Sequence, residues 1–139
     1  MLFSTYTSLI AEEKKKKGQS KKKTTTRFDQ IAAWFGRGAG PDGKRGDYDG
    51  VIIFDEAHKA KSGMKKGKLA SRTGQVVIQL QEICVNARVI YVSATPASKP
   101  NELCYMQRCG YWGNSSLAWD TFQDFDRALE KRGMAAMGK

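Results

Sequence analysis

"VIIFDEAHKA", residues 51–60, decides the fold. Four apolar residues, Val51 to Phe54, run without a break into Asp55, Glu56, Ala57 and His58, the chain's single histidine. A continuous apolar run of this length reads as a strand buried on both faces of a parallel sheet. A second such run, "ARVIYVSAT" at 87–95, ends in Ser93, Ala94 and Thr95. Between them, "TGQVVIQLQEICV" sets Val76, Val77, Leu80, Ile83 and Cys84 on one helical face. Strand, helix, strand implies parallel pairing through a right-handed crossover. Both polar ends then lie on the carboxyl edge of one sheet, where open α/β sheets bind ligands.

Outward from this unit the signals are mostly helical. "TTRFDQIAAWFG" (25–36) places Phe28, Ile31, Ala32 and Phe35 at helical spacing, with Gly36 as a stop. "MLFSTY" (1–6), apolar and β-branched, reads as a further short strand. A helix is expected near "NELCYMQRCG", after Pro96 and Pro100. A last helix is expected over "SSLAWDTFQDFDRALEKRG". Its Ala118, Phe122, Phe125 and Leu129 share a face, serines stand at its start, and Gly133 follows its end. Loops are expected at 13–26, 36–49 and 59–72, the second dense in glycine and the others in lysine. The fold class is α/β, a mostly parallel sheet flanked by helices. No internal repeat is visible.

At 139 residues the chain has the length of one domain. No window is apolar enough to span a bilayer, and "MLFSTYTSLI" lacks the basic residues that precede a signal peptide's core. A soluble, non-secreted chain with no membrane partner is expected, its cysteines reduced. Cys104 and Cys109 with His58 fall one ligand short of a structural zinc site. Charge is the strong compositional signal. Twenty-four Lys and Arg face 14 acids, a net +10 with a pI near 9.7. That favours a polyanionic partner, nucleic acid first. "KKKKGQSKKK" (14–23) alone holds seven lysines in ten residues. Charge at that density repels itself into a solvated, disordered loop, which can still touch phosphates.

An aspartate directly after a buried strand is the Walker-B arrangement, in which it helps hold Mg²⁺ beside nucleotide phosphates. A neighbouring glutamate can orient or deprotonate the attacking water. A lone Asp-Glu pair is weak, since a capping aspartate and a surface glutamate look the same. An apolar run, Asp-Glu-Ala-His and a second strand ending in Ser-Ala-Thr are together far more specific.

These residues resemble the ATPase core of superfamily-two helicases and translocases. The blocks "LFSTYTSLI", "RFDQIAAWFG", "DGVIIFDEAHKAK", "TGQVVIQLQ", "ARVIYVSATPAS", "YMQRCGYWG" and "FQDFDRALEKRGMAAM" resemble, in order, the strawberry notch proteins. The resemblance implies part of a RecA-like domain of the P-loop NTPase type over 1–139, with ATP and Mg²⁺ as cofactors. Asp55 would contact Mg²⁺ and Glu56 would be the catalytic carboxylate. His58 would couple the nucleotide site to Ser93 and Thr95, which would link hydrolysis to movement on nucleic acid. Thr5 and Tyr6 lie in a block that sits near the nucleic-acid path in related translocases. Packing is the other reading of Tyr6. The resemblance also implies a partner in DNA before RNA, with chromatin or transcription factors beside it, and a role in nuclear transcriptional regulation. Two readings stand beside this one: a non-catalytic basic module that binds nucleic acid, and a DEAH translocase of chromatin-remodelling or restriction type.

A phosphate-binding GxxxxGK[ST] has one near-match, "GAGPDGKR" at 38–45. Arg45 replaces the hydroxyl that would ligate Mg²⁺, and the stretch follows a helix and leads into a strand, the reverse of the required order. The resemblance places the Walker A loop upstream of "LFSTY". The chain is therefore expected to be a partial ATPase domain without that loop and to turn over no ATP by itself.

For the lysine run, replacing Lys14, Lys15, Lys16 and Lys17 by serine should flatten the log–log salt dependence of binding. The expected change is roughly 0.7 to 0.9 in slope for each phosphate that the lysines cease to neutralise. Titration of a labelled oligonucleotide at several salt concentrations measures it. An unchanged slope would assign the run to solvated surface.

Overall fold

The computed structural model describes residues 2–11, 26–36, 46–61, 64, 71–95, 97–113 and 118–132. Its centre is the expected unit. Strand β1 (Val51–Asp55) and strand β2 (Arg88–Val92) pair in parallel, with helix α3 (Arg72–Ile83) between them in sequence. The register sets Ile53 opposite Ile90, Phe54 opposite Tyr91 and Asp55 opposite Val92. Ser71 caps α3 by accepting from the Gly74 N–H at 3.1 Å. The predicted apolar face of α3 is buried throughout, with Val77 and Cys84 fully inaccessible.

Helix α1 (Tyr6–Ile10) and helix α2 (Arg27–Trp34) complete this half. A capping box opens α2: Thr26 accepts from the Asp29 N–H, and the Asp29 carboxylate accepts from the Thr26 N–H. It ends at Gly36, whose φ of 79° lies in the left-handed region, where glycine carries no Cβ penalty. Leu9, Phe28, Ile31, Ala32 and Phe35 meet Ile52, Phe54 and the α3 face in one cluster. A second cluster joins the 3₁₀ turn Pro100–Tyr105 to helix α4 (Phe122–Arg132) through Leu103, Trp112, Phe122, Phe125 and Leu129. Trp112 stacks edge-on against Phe122, with ring centres 4.9 Å apart.

A buried polar network locks α3 to β2. The Gln81 amide donates to the carbonyls of Val77 (3.0 Å) and Tyr105 (2.9 Å) and accepts from the Tyr91 hydroxyl. Burial pushes the Tyr91 phenol well above its usual range, so it stays a donor. The Arg108 guanidinium donates to the carbonyls of Gln81 (2.9 Å) and Cys84 (3.2 Å), the end of α3 where unpaired carbonyls collect.

Four expectations need correction. Residues 2–5 form no strand: Thr5 is extended and caps α1, accepting from the Ser8 N–H at 3.0 Å. The apolar Leu2 and Phe3 are exposed. The expected helix near 101–110 is a 3₁₀ turn over Pro100–Tyr105, with proline fixing its first residue. The last helix starts at Phe122, where the Thr121 hydroxyl accepts from the Asp124 N–H at 3.2 Å; Ala118 is outside it and exposed. Finally, the strands are not buried on both faces. Ile52 and Phe54 point into the cluster, but Val51, Ile53, Ile90 and Val92 are each about half exposed, at 49, 57, 48 and 47%. Among the described residues, the helices packed on the sheet cover one face only. Among the loop expectations, 13–25, 37–45, 62–63 and 65–70 lie outside the described residues. The third loop opens in a 3₁₀ turn over Ala57–Ala60.

A contiguous β-branched face of this kind drives association. Replacing Ile53 and Ile90 by threonine keeps β-branching while removing apolar surface. The double substitution should lower self-association of the chain in light scattering and leave the melting midpoint within a few degrees. A loss of cooperative melting would show that the face is packed.

Candidate functional site

The parallel register ends β1 and β2 at the same level, so the segments leaving the two strands meet. After β1 the chain makes a sharp turn. Glu56 adopts φ 50° and ψ 45°, and it is the one non-glycine with positive φ among the described residues. Successive residues of a strand point to opposite faces. The left-handed turn breaks that alternation and brings Glu56 back toward the side of His58. The Asp55 carboxylate accepts from the Glu56 N–H at 2.9 Å, which closes the turn locally. The 3₁₀ turn Ala57–Ala60 then begins, with the Lys59 N–H donating to the Glu56 carbonyl at 3.0 Å.

His58 sits at the junction. Its Nδ1 lies 3.1 Å from Glu56 Oε2 and 3.1 Å from Ser93 Oγ, 35 residues away. Ser93 Oγ also accepts from the Thr95 N–H at 3.3 Å, which folds the segment after β2 back on itself. Asp55, Glu56, His58, Ser93 and Thr95 are thus one group at the carboxyl edge. Asp55, Glu56 and Thr95 are exposed there; His58 and Ser93 are half-buried. Lys61 Nζ lies 3.4 Å from Glu102 Oε2, joining the segment after β1 to the segment after β2. The Glu102 carboxylate also accepts from the Ser98 N–H at 2.7 Å. That bond, with Lys61 beside it, holds the carboxyl below its usual range.

Tyr6 reaches this group from α1. Its hydroxyl donates to the Asp55 backbone carbonyl at 2.9 Å. Burial, then the nearby Asp55, pushes the phenol up to about 12. Thr5 remains at the α1 cap, outside the acid group. Lys14, Lys15, Lys16 and Lys17 lie outside the described residues. The Tyr6–Asp55 and Lys61–Glu102 contacts were not legible in sequence, since pairs 49 and 41 residues apart share no spacing signal.

Hard oxygen donors side by side at a strand end suit Mg²⁺, which is commonly held by one or two carboxylates together with nucleotide phosphates. Asp55 and Glu56 fit that donor set. The near-match at 38–45 lies outside the described residues. Among the described residues no group of three or more His, Cys, Asp or Glu could hold a metal by itself. Cys104 is buried with its thiol 3.5 Å from the Lys61 carbonyl, whereas Cys109 is exposed. No helix among the described residues is long and apolar enough to cross a membrane.

Residues 1–138 match the family described as P-loop containing NTP hydrolase pore-1. The protein strawberry notch of Drosophila melanogaster is 43% identical over 99% of this chain, which covers 8% of that relative. Protein strawberry notch homolog 1 of Homo sapiens is 42% identical over 99% of the chain and 9% of its own length. Protein FORGETTER 1 of Arabidopsis thaliana is 40% identical, again over 99% and 9%. The chain therefore spans less than a tenth of the length of these relatives. No solved structure matches it.

The left-handed turn gives a direct test of this geometry. A left-handed residue with a Cβ costs about 1–2 kcal/mol, and glycine escapes that cost. Glu56→Gly should therefore be more stable than Glu56→Ala, the reverse of the usual order, although both lose the carboxylate. The expected gap is about 1 kcal/mol, or about 3 °C in melting midpoint. Equal midpoints, or alanine above glycine, would refute the conformation.

Proposed function

The chain belongs to the strawberry notch family of P-loop containing NTP hydrolases, and we propose that it carries the acid half of an ATPase site that acts on nucleic acid. One observation carries the reading: His58 Nδ1 stands within 3.1 Å of both Glu56 and Ser93. Glu56, which would serve the nucleotide, and the Ser-Ala-Thr segment that would answer to it are joined through His58.

ATP with Mg²⁺ supplies the phosphoryl bond to be broken. Asp55 would hold the metal through its exposed carboxylate. Glu56 would orient the attacking water and take its proton, a task for a carboxylate within hydrogen-bond reach. His58 would pass a change at Glu56 to Ser93, and through the Thr95 N–H to the rest of that segment. The phosphate-cradling loop is proposed to come from elsewhere in the protein. A nucleic-acid partner is supported by the net charge of +10 and by the lysine run at 14–23; the order DNA before RNA rests on the family resemblance alone. A place in nuclear transcriptional regulation, with chromatin or transcription factors as partners, belongs to the same proposal. It rests on kinship with the strawberry notch proteins.

Glu56→Gln keeps the shape of the side chain and removes the base. In the full-length protein it should lower ATP hydrolysis by at least a hundredfold, within the range of general base loss, and leave nucleotide binding intact. Phosphate release and binding of a fluorescent ATP analogue measure the two. Turnover equal to that of the unsubstituted protein would overturn the assignment of Glu56, and absence of turnover in the unsubstituted protein would favour a basic binding module without catalysis.

A further inference from the structure

The peptide between Asp55 and Glu56 is held at both ends. Its N–H donates to the Asp55 carboxylate at 2.9 Å. Its carbonyl accepts from the Tyr6 hydroxyl at 2.9 Å. The orientation of a peptide plane is set by ψ of the residue before it and φ of the residue after it. Fixing this plane therefore fixes the φ of Glu56, which is the strained angle of the site. A residue held in the left-handed region persists only where its surroundings over-determine it. The Asp55 carboxylate cannot do this alone, because it hangs from the same turn and moves with it.

Tyr6 is anchored independently. It opens α1, whose Leu9 is buried in the core, and its ring packs against the same cluster. The donor thus comes from a helix outside the sheet, 49 residues away. With its phenol pushed up to about 12, the hydroxyl keeps its proton at any physiological pH.

We propose that Tyr6 is a positioning residue of the acid pair: its hydroxyl clamps the Asp55–Glu56 peptide and so holds Glu56 in the left-handed turn that aims its carboxylate. This role rests on reading Asp55 and Glu56 as the ATPase acids. It gives Tyr6 a task other than contact with nucleic acid, and more than packing.

Tyr6→Phe removes the hydroxyl and keeps the ring. If the clamp holds the turn, the turn relaxes without it, and the left-handed penalty at position 56 disappears. The stability advantage of Glu56→Gly over Glu56→Ala should then shrink by more than half when Tyr6→Phe is also present. Thermal melts of the four variants measure this, and an unchanged advantage would overturn the proposal. Steady-state kinetics of the full-length protein give the second readout. Tyr6→Phe should lower kcat for ATP by about one to two orders of magnitude, as misplacement of a catalytic group does, with KM for ATP unchanged. An unchanged kcat, or a rise in KM alone, would also overturn it. Should the unsubstituted protein hydrolyse no ATP, the reading of the acids fails. The melts then decide the clamp by themselves.

Discussion

Asp55 stands opposite Val92 in a parallel pair, and the rest of the site depends on that register. Had the strands been antiparallel, the end of β1 would lie beside the start of β2, and His58 would face Arg88. Parallel pairing needs a crossover, and α3 provides it with twelve residues and an inner face that is apolar but for the buried Gln81. The crossover must hold its distance from β2, or the two strand ends would slide. Gln81 and Arg108 set that distance. One ties the last turn of α3 to Tyr91 and Tyr105, and the other closes its last carbonyls. Gln81 is buried and its amide fully used, so removing the Tyr91 hydroxyl would leave its oxygen unpaired, which is costly in a dry interior; Arg108 closes the helix end from an exposed position.

The sequence was most legible where the signal is local. β1, α2, α3 and β2 announce themselves through apolar spacing, and the structure finds the first three within a residue or two, while β2 stops at Val92, before Ser93, Ala94 and Thr95. The turn chemistry was legible at Gly36, whose left-handed φ needs glycine, and not at Glu56, where nothing in "DEAH" states a left-handed backbone. The start of α4 was missed because serine and threonine both cap, and only packing of Phe122 against Trp112 selects Thr121. The strand expected at 1–6 fails for a related reason: a β-branched threonine is also a good cap, and Thr5 is used as one.

"VIIF" and "RVIYV" have apolar residues on both sides of the pleat. An alternating sequence would be expected if one face met water. The inward residues are covered by α2 and α3. The outward ones, Val51, Ile53, Ile90 and Val92, are not covered among the described residues. Periodicity reports what a strand tolerates on each side, and it does not report which segment supplies the cover. The pattern and the exposure are therefore both informative about this sheet.

Within the candidate site, legibility stopped at the identity of the residues and did not reach their hydrogen-bond logic. His58 presents one nitrogen, Nδ1, to two oxygens at the same distance. An ionised Glu56 can only accept, so a bond to it requires the proton on Nδ1. Ser93 can accept or donate. With Nδ1 protonated, Glu56 is the stronger acceptor, because its oxygen carries charge. With the proton on the other ring nitrogen, Ser93 donates to Nδ1 and Glu56 loses its partner. One imidazole thus has two arrangements, differing in which neighbour it holds. Under the proposed function, that choice gives the Ser-Ala-Thr segment a physical reason to respond when the charge at Glu56 changes.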